Sequence, residues 1–216
     1  MPKDHVRILL VGDVKVGKST LISSYISRQY SEEVPSLMTD AVLPPDTTAN
    51  GVAVTISDSS ARLCDREILR KKIRTADCVM VLYDMTRSDT LVSIERIWLP
   101  LIRDICSSHE LESKAEEKVV LIVGTKRDLL DADGSDDLHR LQEQEERLKR
   151  LFVDHSAVTQ PHTHTAGSLG RPSAAWSPTG GAVGSAAAAN MQVMACYQCS
   201  AKYMDADQIF FEGELS

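Results

Sequence analysis

No apolar run in the 216 residues approaches the length of a membrane span, so no membrane segment is read within them. An excess of positive charge is missing too. The chain carries 24 Lys and Arg against 31 Asp and Glu, a net charge of −7, the wrong sign for a general binder of nucleic acid or anionic membrane. The five cysteines (Cys64, Cys78, Cys106, Cys196 and Cys199) are too scattered for a disulfide framework, and Met-Pro-Lys-Asp-His lacks the make-up of a signal peptide, so a reduced, cytoplasmic setting is expected. Residues 156–190 are rich in Ala, Gly, Ser, Thr, Pro and His and almost lack large apolar side chains apart from Trp176. Such a segment cannot bury enough surface to offset its ordering entropy, and it is expected to be a disordered insertion. The remainder suits one globular domain over residues 1–216, with 43% hydrophobic and 25% charged residues overall.

Against those absences stands one dense motif. Residues 8–20 read Ile-Leu-Leu-Val-Gly-Asp-Val-Lys-Val-Gly-Lys-Ser-Thr: an apolar run, Gly12, four residues, then Gly17-Lys18-Ser19. The order follows from phosphate chemistry. A buried strand holds the loop, and the glycines let backbone N–H groups close on phosphate oxygens. Lys18 reaches the β- and γ-phosphates, and the Ser19 hydroxyl ligates Mg²⁺. A helix starting near Lys18 aims its positive end at the same anion. Asp13, Val14, Lys15, Val16, Gly17, Lys18, Ser19 and Thr20 are therefore expected to surround a nucleotide phosphate, with Lys18 catalytic as well.

The rest of the chain alternates. Helical spacing follows the loop to residue 30, and residues 31–45, with Pro35, Pro44 and Pro45, read as a loop. Strands are expected at residues 52–56, 77–84, 118–124 and 191–199. Residues 64–75 read as a polar helix. A longer helix over residues 90–106 places Leu91, Ile94, Ile97, Trp98, Leu101 and Ile105 on one face, with Pro100 bending it. Residues 136–152 read as a strongly charged amphipathic helix. A closing helix begins near residue 208 and is barely two turns long, so the chain is expected to be truncated or to continue. The alternation predicts an α/β fold with a mostly parallel sheet flanked by helices, its ligand site at the carboxyl ends of the strands.

Three more signals fall at such ends. Asp58 closes a strand some forty residues past Ser19, where an acid can hold Mg²⁺ through a water. Thr125-Lys126-Arg127-Asp128 follows the fourth apolar run. A carboxylate there can accept from guanine N1–H and the 2-amino group, a pair adenine does not offer, and the Lys126 stem can lie along the ring. Ser200-Ala201-Lys202 follows the last strand, where backbone N–H groups can meet the guanine carbonyl. The expected cofactors are GTP or GDP with Mg²⁺.

In this order the motifs resemble a small GTPase of the Ras superfamily, with its P-loop NTPase fold. Within it the chain is most similar to the N-terminal GTPase domain of the Miro (mitochondrial Rho) family. That likeness rests on Asp4-His-Val-Arg-Ile-Leu-Leu-Val-Gly, Glu32-Glu33-Val34-Pro35, Leu43-Pro44-Pro45-Asp46-Thr47-Thr48 and Trp98-Leu99-Pro100-Leu101-Ile102. The resemblance implies a guanine-nucleotide switch with protein effectors and regulators. It also implies a longer protein on the cytosolic face of the mitochondrial outer membrane, with EF-hands, a second GTPase domain and an anchor, none of which is read in these residues.

Departures from the family pattern bear on rate. Where relatives carry Asp-x-x-Gly-Gln, this chain has Asp58-Ser59-Ser60-Ala61-Arg62, so the γ-phosphate-sensing glycine and the water-positioning glutamine are both replaced. Val14 would crowd an incoming arginine. The Mg²⁺-binding threonine of the first switch has no clean match; Ser36 is the nearest candidate, with Thr39 behind it. Nucleotide binding is expected to persist and hydrolysis to be slow, since an arginine finger alone can contribute roughly 10³–10⁵-fold. Arg62 or Lys15 could supply that charge in cis, although each also reads as a solvated surface cation. The competing reading is a pseudo-GTPase that binds nucleotide for structure and acts as an interaction module; an ATP-using kinase is disfavoured by residues 125–128. Cys196-x-x-Cys199 has no second pair for zinc, and Asp131-Ala-Asp133-Gly134 lacks the spacing of a calcium loop.

Overall fold

A computed structural model describes residues 4–48, 51–59, 66–107, 118–130, 139, 143, 146, 147, 191–203, 209 and 210, with the backbone alone for 191–196. Six strands form one sheet in the order β2-β3-β1-β4-β5-β6. They are β1 (His5–Gly12), β2 (Ala41–Leu43), β3 (Ala53–Ser57), β4 (Cys78–Asp84), β5 (Lys118–Thr125) and β6 (Met191–Gln198). Every pairing is parallel except β2 against β3. The central strands are buried on both faces, which explains their unbroken apolar runs: all seven residues of β4 are buried.

Helices α1 (Lys18–Ser27), α2 (Arg66–Thr75), α3 (Ser88–Ser93) and α4 (Leu99–Ser107) cover the sheet. One core packs Leu9, Val11, Val79 and Val81 against Ile73 of α2 and Ile94, Trp98 and Ile102 of the α3–α4 rod. The other packs Ile8, Leu10, Ile56 and Met80 against Leu21 and Ile22 of α1 and against Phe210, whose ring stacks on Tyr25 with centroids 4.1 Å apart. Lys118 closes the carboxyl end of α2 from the sheet, donating to the carbonyls of Ile73 (2.8 Å), Arg74 (3.1 Å) and Ala76.

The strand direction sets the site. From β1 the chain builds outward to β3 on one side and returns to β4 on the other, so a crevice opens at the carboxyl end of β1. Register aligns Gly12 with Leu82, Asp84 with Thr125, and Gly124 with Gln198 along that edge.

Two elements differ from expectation. The region expected to be loop over residues 31–45 contains β2, whose three residues pair with Val54, Thr55 and Ile56; a one-turn 3₁₀ helix, Pro45–Thr47, follows. The long helix over residues 90–106 is also not uniform. Residues Ile94–Trp98 form a π turn in which the Leu99 N–H reaches back to the Ile94 carbonyl. Its extra residue per turn shifts the helix phase. Ile97, expected on the buried face, is 51% exposed, while Leu99 and Ile102 are buried. Of the charged helix expected over residues 136–152, residues 139, 143, 146 and 147 are described and helical. The insertion at 156–190 and the segment 131–134 lie outside the described residues, as does Arg62.

Candidate nucleotide site

The loop between β1 and α1 is shaped by three left-handed or extended-positive backbones: Gly12 at φ 145°, Lys15 at φ 66° and Gly17 at φ 94°. Gly12 has a second constraint, because a Cβ there would lie 2.4 Å from the Leu82 carbonyl oxygen. Val16 is buried and anchors the loop, while Val14 is 59% exposed on its outer side. Lys18 is buried along the loop, and its Nζ donates to the carbonyls of Gly12 and Asp13, both at 2.9 Å. Burial lowers its pKa from the ordinary lysine value, opposed by the carboxylates of Asp58 and Asp13.

At the next residue, Ser19 Oγ donates to Asp58 Oδ2 at 2.6 Å. The Ser36 carbonyl lies 3.4 Å from the same hydroxyl; a hydroxyl has one proton, and the shorter contact takes it. Asp58 is fully buried at the end of β3 and also accepts from the N–H groups of Met38 (3.0 Å) and Ser59 (2.8 Å). From α2, Lys72 donates to the Asp58 carbonyl at 3.0 Å and to Asp40 at 3.2 Å. Segment 31–40, the Asp58 strand end and α2 are thereby tied together.

The second pole lies past β5. Lys126 sits at φ 61° and its Nζ pairs with Asp84 Oδ2 at 2.7 Å. Burial pushes the Asp84 carboxyl up, but the bonds from Lys126 and from the Thr86 hydroxyl and N–H outweigh it, so its pKa falls below the ordinary aspartate value. Ser200 Oγ donates to Asp128 Oδ1 at 2.6 Å, orienting that carboxylate. The Lys202 N–H turns onto Ser200 Oγ at 3.2 Å. A pocket opens here, walled by Gly17, Thr20, Tyr30, Lys126, Asp128, Leu129, Ala201 and Lys202 among others.

The structure thus gathers residues from both halves of the sequence on one sheet edge. Lys15 stands exposed on the loop. Three roles at the site went unread: Tyr30 in the pocket wall, Asp84 beneath Lys126, and Trp98, expected only on a buried helix face, whose Nε1 donates to Asp13 Oδ1 at 2.9 Å. Only Asp84 carried a usable signal, an acid at the end of a buried strand.

The Ras family model matches residues 7–166. This chain belongs to the Ras family. The Ras-family chain is 32% identical over 133 residues to a "Probable mitochondrial Rho GTPase gemA" of Dictyostelium discoideum, covering 60% of this chain and 19% of that protein. It is 32% identical over 159 residues to "Mitochondrial Rho GTPase 1" of Arabidopsis thaliana, covering 72% and 23%. It spans about a fifth of the length of these curated relatives. Its mixed sheet flanked by helices is a Ras-like P-loop fold, similar to the GTPase domain of mitochondrial Rho (Miro) proteins.

Proposed function

We propose that this chain is a Mg²⁺-dependent guanine-nucleotide switch with slow GTP hydrolysis, resembling the mitochondrial Rho GTPases. The observation that carries the reading is the pair of poles on one strand edge: Lys18, Ser19 and Asp58 at one end, Lys126, Asp128 and Ser200 at the other.

The residues fit the partners. A serine hydroxyl and a buried carboxylate 2.6 Å apart are hard oxygen donors of the kind Mg²⁺ takes alongside phosphate and water. Ser19, Asp58 and Ser36 would hold the ion, which when bound neutralises charge on the phosphate oxygens. Lys18 binds the β- and γ-phosphates from inside the loop, and the N–H groups of residues 13–20 face them. Asp128 reads the guanine ring with the oxygen Ser200 leaves unused. Backbone N–H groups of Ser200 to Lys202 meet the guanine carbonyl, with Ala201 in the pocket wall. Segment 31–40 is held to the site by the Met38–Asp58 and Lys72–Asp40 bonds, which suits an element that orders and releases with nucleotide state.

Slow turnover follows from Ala61 and Arg62 in place of the glycine and glutamine. Arg62 or Lys15 supplies transition-state charge in cis; single-turnover hydrolysis by Arg62→Ala and Lys15→Ala, unchanged in both, would end that idea. The setting is the cytosol, at the outer mitochondrial membrane within a longer protein, and the partners are protein effectors and regulators. The second reading, a nucleotide-binding interaction module without turnover, is favoured by the same Asp58 to Arg62 departures.

Calorimetric titration with GDP and GTP in Mg²⁺ tests the proposal, with binding expected for both. No heat and no thermal protection would overturn it. Mg²⁺-GTP hydrolysis no faster than in Lys18→Ala would leave the interaction module instead.

A further inference from the structure

The π turn Ile94–Trp98 lies just ahead of Pro100. Proline offers no N–H and its ring presses on the carbonyl four residues back, and widening the preceding turn relieves both. The widened turn presents Trp98 to the phosphate loop. The indole is 6% exposed within the α3–α4 core, and its one polar atom donates to Asp13 Oδ1 at 2.9 Å. An indole N–H can only donate, and when buried it needs an acceptor. Asp13 is held at its other end as well, since its carbonyl takes the Lys18 ammonium at 2.9 Å. Arg87, a further cation that interacts with Asp13, is turned onto Asp89 at 2.6 Å.

A carboxylate is a liability in a loop that must close around a polyanion. We propose that Trp98 is a positioning residue of the nucleotide site: it pins the Asp13 carboxylate to the helical layer and keeps it from swinging onto the bound phosphates. This rests on the nucleotide-switch reading. The tryptophan touches no nucleotide; it acts through Asp13. Its loss frees a negative charge to approach the bound phosphates and loosens the loop carbonyl that Lys18 grips.

The test is the dissociation rate of fluorescently labelled GDP from the full chain at fixed Mg²⁺. Trp98→Phe keeps a ring and removes the donor, and replacement of Trp98 by benzothienylalanine, with sulfur where the indole has N–H, keeps the full ring outline should Phe fail to fold. Either is expected to speed release about tenfold, the scale of one lost hydrogen bond to a charged group. Asp13→Asn keeps an acceptor for the indole without the charge, and its release rate is the baseline for the double variant. The double variant Trp98→Phe with Asp13→Asn is expected to release within about threefold of Asp13→Asn alone, because the charge that did the damage is gone. Release by the Trp98 variants within about twofold of wild type, or a Trp98→Phe effect in the Asp13→Asn background still about tenfold, would overturn the proposal: the first leaves no coupling, the second reduces Trp98 to packing. A wild-type chain that binds no GDP would overturn the nucleotide reading itself, and the clamp with it.

Discussion

Thr125 Oγ1 donates to the Val16 carbonyl at 2.6 Å, linking the first residue of the base-side motif directly to the middle of the phosphate loop, 109 residues earlier. The Tyr83 carbonyl lies 2.9 Å from the same hydroxyl, which has one proton to give. Thr125 is 4% exposed, so replacing it with the isosteric valine leaves a buried carbonyl with no donor in reach of that side chain. Thr125→Val is expected to cost about 1–3 kcal/mol, appearing both as a lowered midpoint in urea and as weaker GDP binding by calorimetry. Equal GDP affinity in the two proteins would mean the poles are not coupled through this bond.

Base reading makes a sharper demand. Asp128 is set by Ser200 at 2.6 Å, and its second oxygen is left to pair with a ligand. Asp128→Asn replaces an acceptor with a donor where guanine offers donors, so the preference for GTP over ATP is expected to fall by at least about a hundredfold, two bonds to a charged group being at stake. Ser200→Ala keeps the charge and loses only its orientation, with an expected drop of about tenfold. Competition of GTP and ATP against labelled GDP checks both. An Asp128→Asn protein with the wild-type preference would remove Asp128 from the base site.

Asp84 gives the chain an acid-sensitive joint. Its carboxyl is held below the ordinary aspartate range in the folded chain, so the unfolded chain takes up the proton more readily. The stabilisation is therefore fully present above the unfolded aspartate value, near pH 4, and is lost as pH falls through the depressed folded value. Asp84→Asn is expected to lower stability by about 1–2 kcal/mol at pH 7, the scale of a hydrogen bond to a charged group, with the gap to wild type narrowing below about pH 4. Urea unfolding of both proteins from pH 7 down to pH 3 measures the gap, and a constant difference would show that the Lys126 and Thr86 contacts do not favour the charged form.

The legible parts of the molecule are those encoded locally. An apolar run followed by glycines, lysine and serine specifies strand, loop and helix in twelve residues, and the rule that parallel strands present ligands at their carboxyl ends then brings Asp58, Thr125, Asp128 and Ser200 to the same edge. What stayed hidden depends on distant partners. Ala41, Val42 and Leu43 become a strand only because Val54, Thr55 and Ile56 offer an edge, and the prolines around them argue for loop. Helical periodicity put Ile97 inside because it assumes a constant turn; the π turn ahead of Pro100 breaks that assumption. Helical spacing ran on to Tyr30, but α1 ends at Ser27 with Arg28 in the left-handed region, which puts Tyr30 in an irregular segment at the pocket wall. The Trp98–Asp13 bond spans 85 residues, and neither residue's neighbourhood hints at the other.

Gly12 and Gly51 separate two reasons for a glycine. Both have positive φ, 145° and 67°. Around Gly51 a Cβ would meet nothing within 4 Å, whereas at Gly12 it would strike the Leu82 carbonyl oxygen at 2.4 Å and the Val16 side chain at 3.2 Å. The Leu82 oxygen belongs to a central strand and cannot move aside as a flexible side chain would. Gly51→Ala is therefore expected to cost only the left-handed backbone penalty, about 1 kcal/mol. Gly12→Ala adds overpacking against backbone, for a total of about 3 kcal/mol or more, and it displaces the first carbonyl that Lys18 holds. Urea midpoints of the two variants measure the contrast, and GDP titration should find binding kept in Gly51→Ala and lost in Gly12→Ala. Equal losses of stability would mean that the close approach of β1 to β4 at this position is not a constraint the folded chain feels.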